Sequence, residues 1–182
     1  EYSIGGSRVL SISGPGVIVG LGNSAAGASS ASIGRNNSAS VSSAVALGSS
    51  NTASGLSGIA VGGINTASGF QSTAIGYLNN ALASNAVAFG AGITNNISNS
   101  LMIGPSDSSK LTILSTGNVG IGTTSPYAKL SVVGFTVADA FNAFSTGTST
   151  FAGAIRIGED QGYNFGLSVR KQGASGSTVH NI

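Results

Sequence analysis

The chain of 182 residues carries no Cys, no Trp, one Met and one His, and its charged residues amount to 7% with a formal net charge of +2. Soluble domains average about a quarter charged residues, so Ser, Thr and Asn must solvate this surface; the clustered Lys and Arg that neutralise phosphates are missing, which excludes nucleic acid as a partner. Without Cys the redox compartment stays open. The longest apolar stretches, such as Gly16–Leu21, are too short for a membrane span or a signal-peptide core, so the chain is expected to be processed, truncated or exported by another route.

Residues 1–16 read as an N-terminal strand region, and residues 17–104 are a repeat. Gly20, Gly34, Gly48, Gly62, Gly76, Gly90 and Gly104 fall fourteen residues apart, and most of them close an apolar triplet such as Val45-Ala46-Leu47 or Ile59-Ala60-Val61. A period this short cannot bury a core alone, so each repeat must be a coil stacked on its neighbours. Three residues beyond each glycine comes Asn23, Asn37, Asn51, Asn65 or Asn79, followed two residues on by Ala25, Ala39, Ala53, Ala67 or Ala81. Gly, Ser, Asn, Thr and β-branched residues dominate and no apolar stripe recurs at helical spacing, which excludes helix. The expectation is an all-β parallel roll of fourteen-residue coils, each with two strands of about five residues and two tight bends.

At about 4.8 Å per coil, the repeats would form a rod on the order of 30 Å long. Its marker glycines would be structural, and its asparagines would stack with their amides satisfied from coil to coil. Half a coil beyond their markers, Gly27, Gly55 and Gly69 alternate with Val41, Ala83 and Ile97, which reads as a tolerant bend. So thin a roll has a poor core. The Ala46, Ala60, Ala74 and Ala88 column is expected to let identical backbones approach around a shared axis while the flanking large residues fill each roll, and cyclic closure of copies then hides the apolar face.

The run Asn51-Thr52-Ala53-Ser54-Gly55 to Ile59-Ala60-Val61-Gly62, repeated as Asn65-Thr66-Ala67-Ser68-Gly69 to Thr73-Ala74-Ile75-Gly76, resembles the YadA-like head of trimeric autotransporter adhesins over roughly residues 17–104. The resemblance implies a left-handed parallel β-roll, a homotrimer, and display outside a bacterial cell for attachment to host matrix protein, glycan or a cell-surface receptor. A coiled-coil stalk and a membrane β-barrel, which that family also has, find no match in the sequence.

The fourteen-residue register ends at Pro105-Ser106-Asp107-Ser108-Ser109-Lys110, where charge returns. Residues 105–134 read as a connector: a strand at Lys110–Leu114, a turn at Ser115–Asn118 and an extended segment at Val119–Gly122. The run from Gly117 to Pro126, with Ala128–Gly134, resembles a motif of phage tail-fibre-like and large bacterial surface proteins, which implies small fibrous β modules joined in series. Residues 135–182 read as a C-terminal β module. Its Val137–Phe144 segment carries apolar residues at both helical and strand spacing and is taken as irregular strand, and Phe151–Ile157 and Phe165–Val169 are expected strands around a Gly158–Gly162 turn.

Catalysis is not expected, nor a cofactor. His180 has no partner carboxylate or thiol nearby in sequence, and no Gly-x-Ser-x-Gly elbow lies between a strand and a helix. Glu159 and Asp160 read as solvating a turn rather than binding calcium, and Gly117–Gly122 precedes no helix that would give a phosphate cradle its force. Two surface features remain. Ser24, Ser38, Thr52, Thr66, Asn80 and Thr94 form a polar column that reads either as turn capping or as an ice- or glycan-binding face. Phe70 and Tyr77 stand where polar residues are expected, and are the candidate ligand contacts against the alternative of packing between coils or chains. The functional expectation is an extracellular trimeric fibre segment for adhesion; the alternatives are a filament or stalk subunit with no ligand of its own, assembling end to end, or a phage tail fibre that recognises a receptor.

Overall fold

The computed structural model describes residues 2–4, 7–11, 16–105, 110–134 and 136. The expected segments Val137–Phe144, Phe151–Ile157 and Phe165–Val169, together with Glu159, Asp160 and His180, lie outside the described residues.

Two strands open the fold, β1 (Tyr2–Ile4) and β2 (Ser7–Ser11). The coils follow as alternating longer and shorter strands: β3 (Gly16–Leu21) and β4 (Ser24–Ala25), β5 (Ser30–Arg35) and β6 (Ser38–Ala39), β7 (Val45–Ser49) and β8 (Thr52–Ala53), β9 (Ile59–Gly63) and β10 (Thr66–Ala67), β11 (Thr73–Tyr77) and β12 (Asn80–Ala81), β13 (Val87–Ala91) and β14 (Thr94–Asn95), then β15 (Leu101–Gly104). Three more strands follow, β16 (Leu111–Ile113), β17 (Val119–Ile121) and β18 (Leu130–Val132). The described residues contain no helix. The architecture is the expected all-β parallel solenoid, although the second strand of each coil is two residues long rather than about five.

Each longer strand pairs in parallel with the one fourteen residues on, as in Thr73↔Ile59 and Thr73↔Val87. The shorter strands form a separate six-stranded parallel sheet, β4 to β14. Seven of the twelve strands of the larger sheet, β3 to β15, come from the coils. At one end the sheet continues through antiparallel β2 and β1; at the other β16 and β17 are antiparallel additions and β18 is parallel.

The interior is made of methyl groups. Ala46, Ala60, Ala74 and Ala88 of the longer strands and Ala39, Ala53, Ala67 and Ala81 of the shorter ones are all 0% exposed and belong to one core cluster. This corrects the expected orientation of the triplets. The Ala column faces into its own roll and not toward a shared axis, and the large residues on either side of it point outward. Alternation along a strand separates two faces without saying which is inside; between layers this thin alanine fills most positions, and the larger Ile93 and Met102 enter only in the last coils.

Those outward residues extend well beyond the repeats. Partners directly opposite in a sheet share a face, so the pairings place Leu10, Val19, Ile33, Leu47, Val61, Ile75, Phe89, Ile103, Leu111, Ile121 and Val132 in one row. A second row runs Val17, Ala31, Val45, Ile59, Thr73, Val87, Leu101, Ile113, Val119 and Leu130. None of these side chains is buried within the chain, and Leu47 and Phe89 are 40% and 49% exposed.

Candidate functional site

Each coil is held by a repeated set of contacts around its asparagine. Asn65 Nδ2 donates to Val61 O at 2.9 Å and to Gly76 O of the next coil at 2.8 Å. Its Oδ1 accepts the Asn79 N–H at 3.0 Å. Asn23, Asn37, Asn51 and Asn79 repeat the pattern, and neighbouring amides also touch, as in Asn51 Nδ2 to Asn37 Oδ1 at 3.0 Å. The asparagines are therefore structural, with backbone groups as their main partners rather than one another. A buried amide with donors and acceptor all engaged avoids the penalty of an unmet polar group.

The marker glycines supply the carbonyls. Gly62 has φ +116°, and a Cβ there would lie 2.1 Å from Gly76 O. Gly20, Gly34, Gly48, Gly76 and Gly90 share both features. The bend at Gly27, Gly55 and Gly69 is less tolerant than expected: a Cβ on any of them would overlap the backbone of the following coil, whereas Val41, Ala83 and Ile97 turn their side chains onto the core cluster.

A second period of seven governs the backbone. Ser29, Asn36, Ser43, Ser50, Ser57, Ile64, Gln71, Leu78, Asn85 and Asn99 all have φ between 52° and 58°, and Gly22 and Gly92 continue the series at 68° and 64°. One left-handed residue thus sits in each of the two bends of a coil. Gly and Asn enter this region at small cost; other residues do so at roughly 1 kcal/mol or more, and β-branched Ile is the least suited to it. Ile64 and Leu78 are the only aliphatic residues in the series.

The two candidate contact residues do not come together. Phe70 lies in the bend before β11, whereas Tyr77 ends β11, so they occupy opposite edges of the roll, 47% and 52% exposed. Phe70 follows Leu56 in its column, and both are exposed. The Tyr77 ring leans over Gly63 of the preceding coil, beside exposed Ile64 and Leu78. A single cleft binding one ligand between Phe70 and Tyr77 is therefore ruled out by their placement.

The column Ser24, Ser38, Thr52, Thr66, Asn80 and Thr94 starts the strands of the six-stranded sheet and contributes nothing to the buried core. Asn80 Nδ2 reaches Thr94 Oγ1 at 3.4 Å. A shallow apolar depression of about 360 Å³ lies at the C-terminal ends of β13 and β15, lined by Phe89, Gly90, Ala91, Ile103, Gly104 and Pro105. It belongs to the apolar face. Among the described residues, no group of three or more His, Cys, Asp or Glu is placed to hold a metal ion, and no helix is long and apolar enough to cross a membrane. No family model matches the sequence, and no curated protein or solved structure is significantly similar to it.

The feature that sequence reasoning missed is the large one: the apolar rows on the outer face. Its signal was present, because Ala columns occur on both strands of the coil, Ala39 to Ala81 and Ala46 to Ala88. Two small columns opposite each other leave only the outside for the large side chains.

Proposed function

We propose that the chain is a segment of an extracellular trimeric fibre that acts in attachment to surfaces, matrix or other cells. The observation that carries this reading is the outer face of the twelve-stranded sheet, where one apolar row runs unbroken from Leu10 to Val132 and a second, interrupted only at Thr73, runs beside it from Val17 to Leu130. Exposed apolar area on that scale marks an interaction surface. Parallel copies of the same chain cover it economically, because every copy presents an equally long apolar face. Cyclic closure then leaves nothing for sideways growth. Three as the number of copies, and adhesion as the role, come from the resemblance of residues 17–104 to YadA-like heads, as does placement at a bacterial cell surface.

Light scattering across a dilution series tests the reading. A fixed mass of three chains supports it. A single-chain mass at all concentrations overturns it, and a mass that grows with concentration replaces it with a self-assembling filament subunit.

The second reading, a stalk subunit without a ligand, is favoured by the other face of the roll. There the six-stranded sheet offers a narrow polar strip of Ser, Thr and Asn. Binding of the assembled protein to arrays of matrix proteins and glycans separates adhesin from spacer.

A further inference from the structure

We infer that Phe70 and Tyr77 are two halves of one seam between neighbouring copies of this chain. The inference rests on the cyclic closure proposed above and adds to it which residues meet. When copies surround an axis along the rod with their twelve-stranded sheets facing inward, the leading bend of one copy lies beside the trailing bend of the next at the same height. A seam of this kind needs apolar residues on both edges of the roll, and at matching coils.

The chain has them at one height. Leu56 and Phe70 occupy the bends that precede β9 and β11; Ile64, Tyr77 and Leu78 occupy the bends that follow the same two strands, and all five are exposed. One coil below, the equivalent bends carry Ser42 and Ser49, and one coil above they carry Ser84 and Ala91. Exposed Leu82 extends the leading-edge patch one coil above, and among the described residues only the coils of β9 and β11 carry exposed large apolar residues on both edges.

The backbone gives a second, independent indication. Ile64 and Leu78 hold left-handed conformations that Ser, Asn, Gln or Gly fills elsewhere in the roll. Aliphatic side chains kept at strained, exposed positions only at the height of the patch point to a contact that needs them apolar. Tyr77, leaning over Gly63, spans the height between the two coils. The occupant is a second copy rather than a separate ligand, because each edge patch is matched by its counterpart on the opposite edge of the same molecule.

The chain has no Cys, so introduced thiols report cleanly. The full chain carrying Phe70→Cys and Tyr77→Cys is treated with a short-span bismaleimide and run on a denaturing gel, with each single variant and a Ser42→Cys/Tyr77→Cys pair as register controls. The expected result is conversion of most of the Phe70→Cys/Tyr77→Cys chain to covalent multimers that end at the closed ring. Mixed single variants should yield covalent dimers, and the register control little product. Leu56→Cys with Ile64→Cys repeats the test one coil lower, should the first pair perturb folding. If the double variants keep the parent assembly mass by light scattering yet stay uncrosslinked, or if the register control links equally well, the seam is overturned while cyclic closure stands. A parent chain that is monomeric overturns both.

Discussion

The central coils and the final one share a frame of fourteen residues but close it in opposite ways. In the central coils the amide of Asn37, Asn51, Asn65 or Asn79 is buried at the bend, with Ala39, Ala53, Ala67 or Ala81 two residues on. In the final coil Ile93 takes the buried amide position and Asn95 takes the alanine position, so polar and apolar have exchanged places. Asn95 bonds locally, from Nδ2 to Val87 O and Ser100 O and to Oδ1 from Ile97 N, with Ser100 Oγ 3.0 Å from Oδ1. The reason lies in what comes next. A central asparagine reaches forward to a glycine carbonyl and a backbone N–H one coil on, but the six-stranded sheet ends at β14, and β15 is followed by antiparallel β16. The amide belongs to the stacking of coils, and where stacking stops it is redeployed.

The heaviest way to break the central coils is to fill a marker glycine. Gly62→Ala must place a Cβ 2.1 Å from Gly76 O at φ +116°, and an expected loss of about 4 kcal/mol or more places it among the severe backbone substitutions. Gly63→Ala, one residue on, meets only the Tyr77 ring at 3.1 Å, and should cost less than about 1 kcal/mol. Chemical denaturation at one fixed protein concentration, since assembly contributes to apparent stability, measures both. Equal losses would mean that the close approach of Gly62 and Gly76 is not what the period preserves.

Next in size is the amide itself, which sets the central coils directly against the final one. Asn65→Ala takes the donor from Val61 O and Gly76 O and the acceptor from the Asn79 N–H, for a loss of roughly 3 kcal/mol. Asn95→Ala breaks bonds confined to a terminal coil, which opens without unstacking the rest, and about 2 kcal/mol is expected. Hydrogen exchange sharpens the contrast. Asn65→Ala should raise exchange in the coils on either side, and Asn95→Ala only beyond Ile93.

Period, coil length, strand type and the structural part of Gly20 to Gly90 and Asn23 to Asn79 were all legible in the sequence, because each is written as an identical residue at a fixed interval. Two things were not. The triplets were read inside out, since alternation in Val45-Ala46-Leu47 is symmetric about the strand and the usual rule puts large residues within; here the paired Ala columns decide the matter. The left-handed positions every seven residues were hidden because Ser and Asn abound everywhere in the chain, and the two conspicuous members, Ile64 and Leu78, are residues that normally argue against such a conformation. The placing of Phe70 and Tyr77 on opposite edges depended on locating those bends.

A smaller gain is available inside the central coils. Ser72 Oγ is buried without a hydrogen-bond partner, in a column where Ala44 and Ala86 are equally buried. In the same column Ser30 Oγ donates to Gly27 O at 2.7 Å and Ser100 Oγ to Ile97 O at 2.7 Å. Removing an unmet hydroxyl is favourable where removing a bonded one is not, so Ser72→Ala should stabilise by about 1 kcal/mol and Ser100→Ala destabilise by a similar amount. Opposite signs in thermal denaturation would separate a central coil from the final one by a single oxygen atom.

The smallest effect is expected from pH, where central and final coils should behave alike. Residues 16–105 contain one charged side chain, Arg35, and no carboxylate, His or Lys. Stability changes with pH only where folded and unfolded states bind different numbers of protons. With no side chain in this stretch that titrates between about pH 4 and 9, the slope contributed by every coil is zero, and neither a raised nor a depressed pKa is available to give it a sign. The unfolding midpoint of the full chain should therefore stay level over that range. A drift would have to arise from the groups outside the coils, of which Asp107 lies nearest in sequence. Asp107→Asn would then flatten it, whereas a drift that survives it would have to come from Glu1 and the chain's terminal groups or from residues after β18, among which Asp139, Glu159, Asp160 and His180 lie.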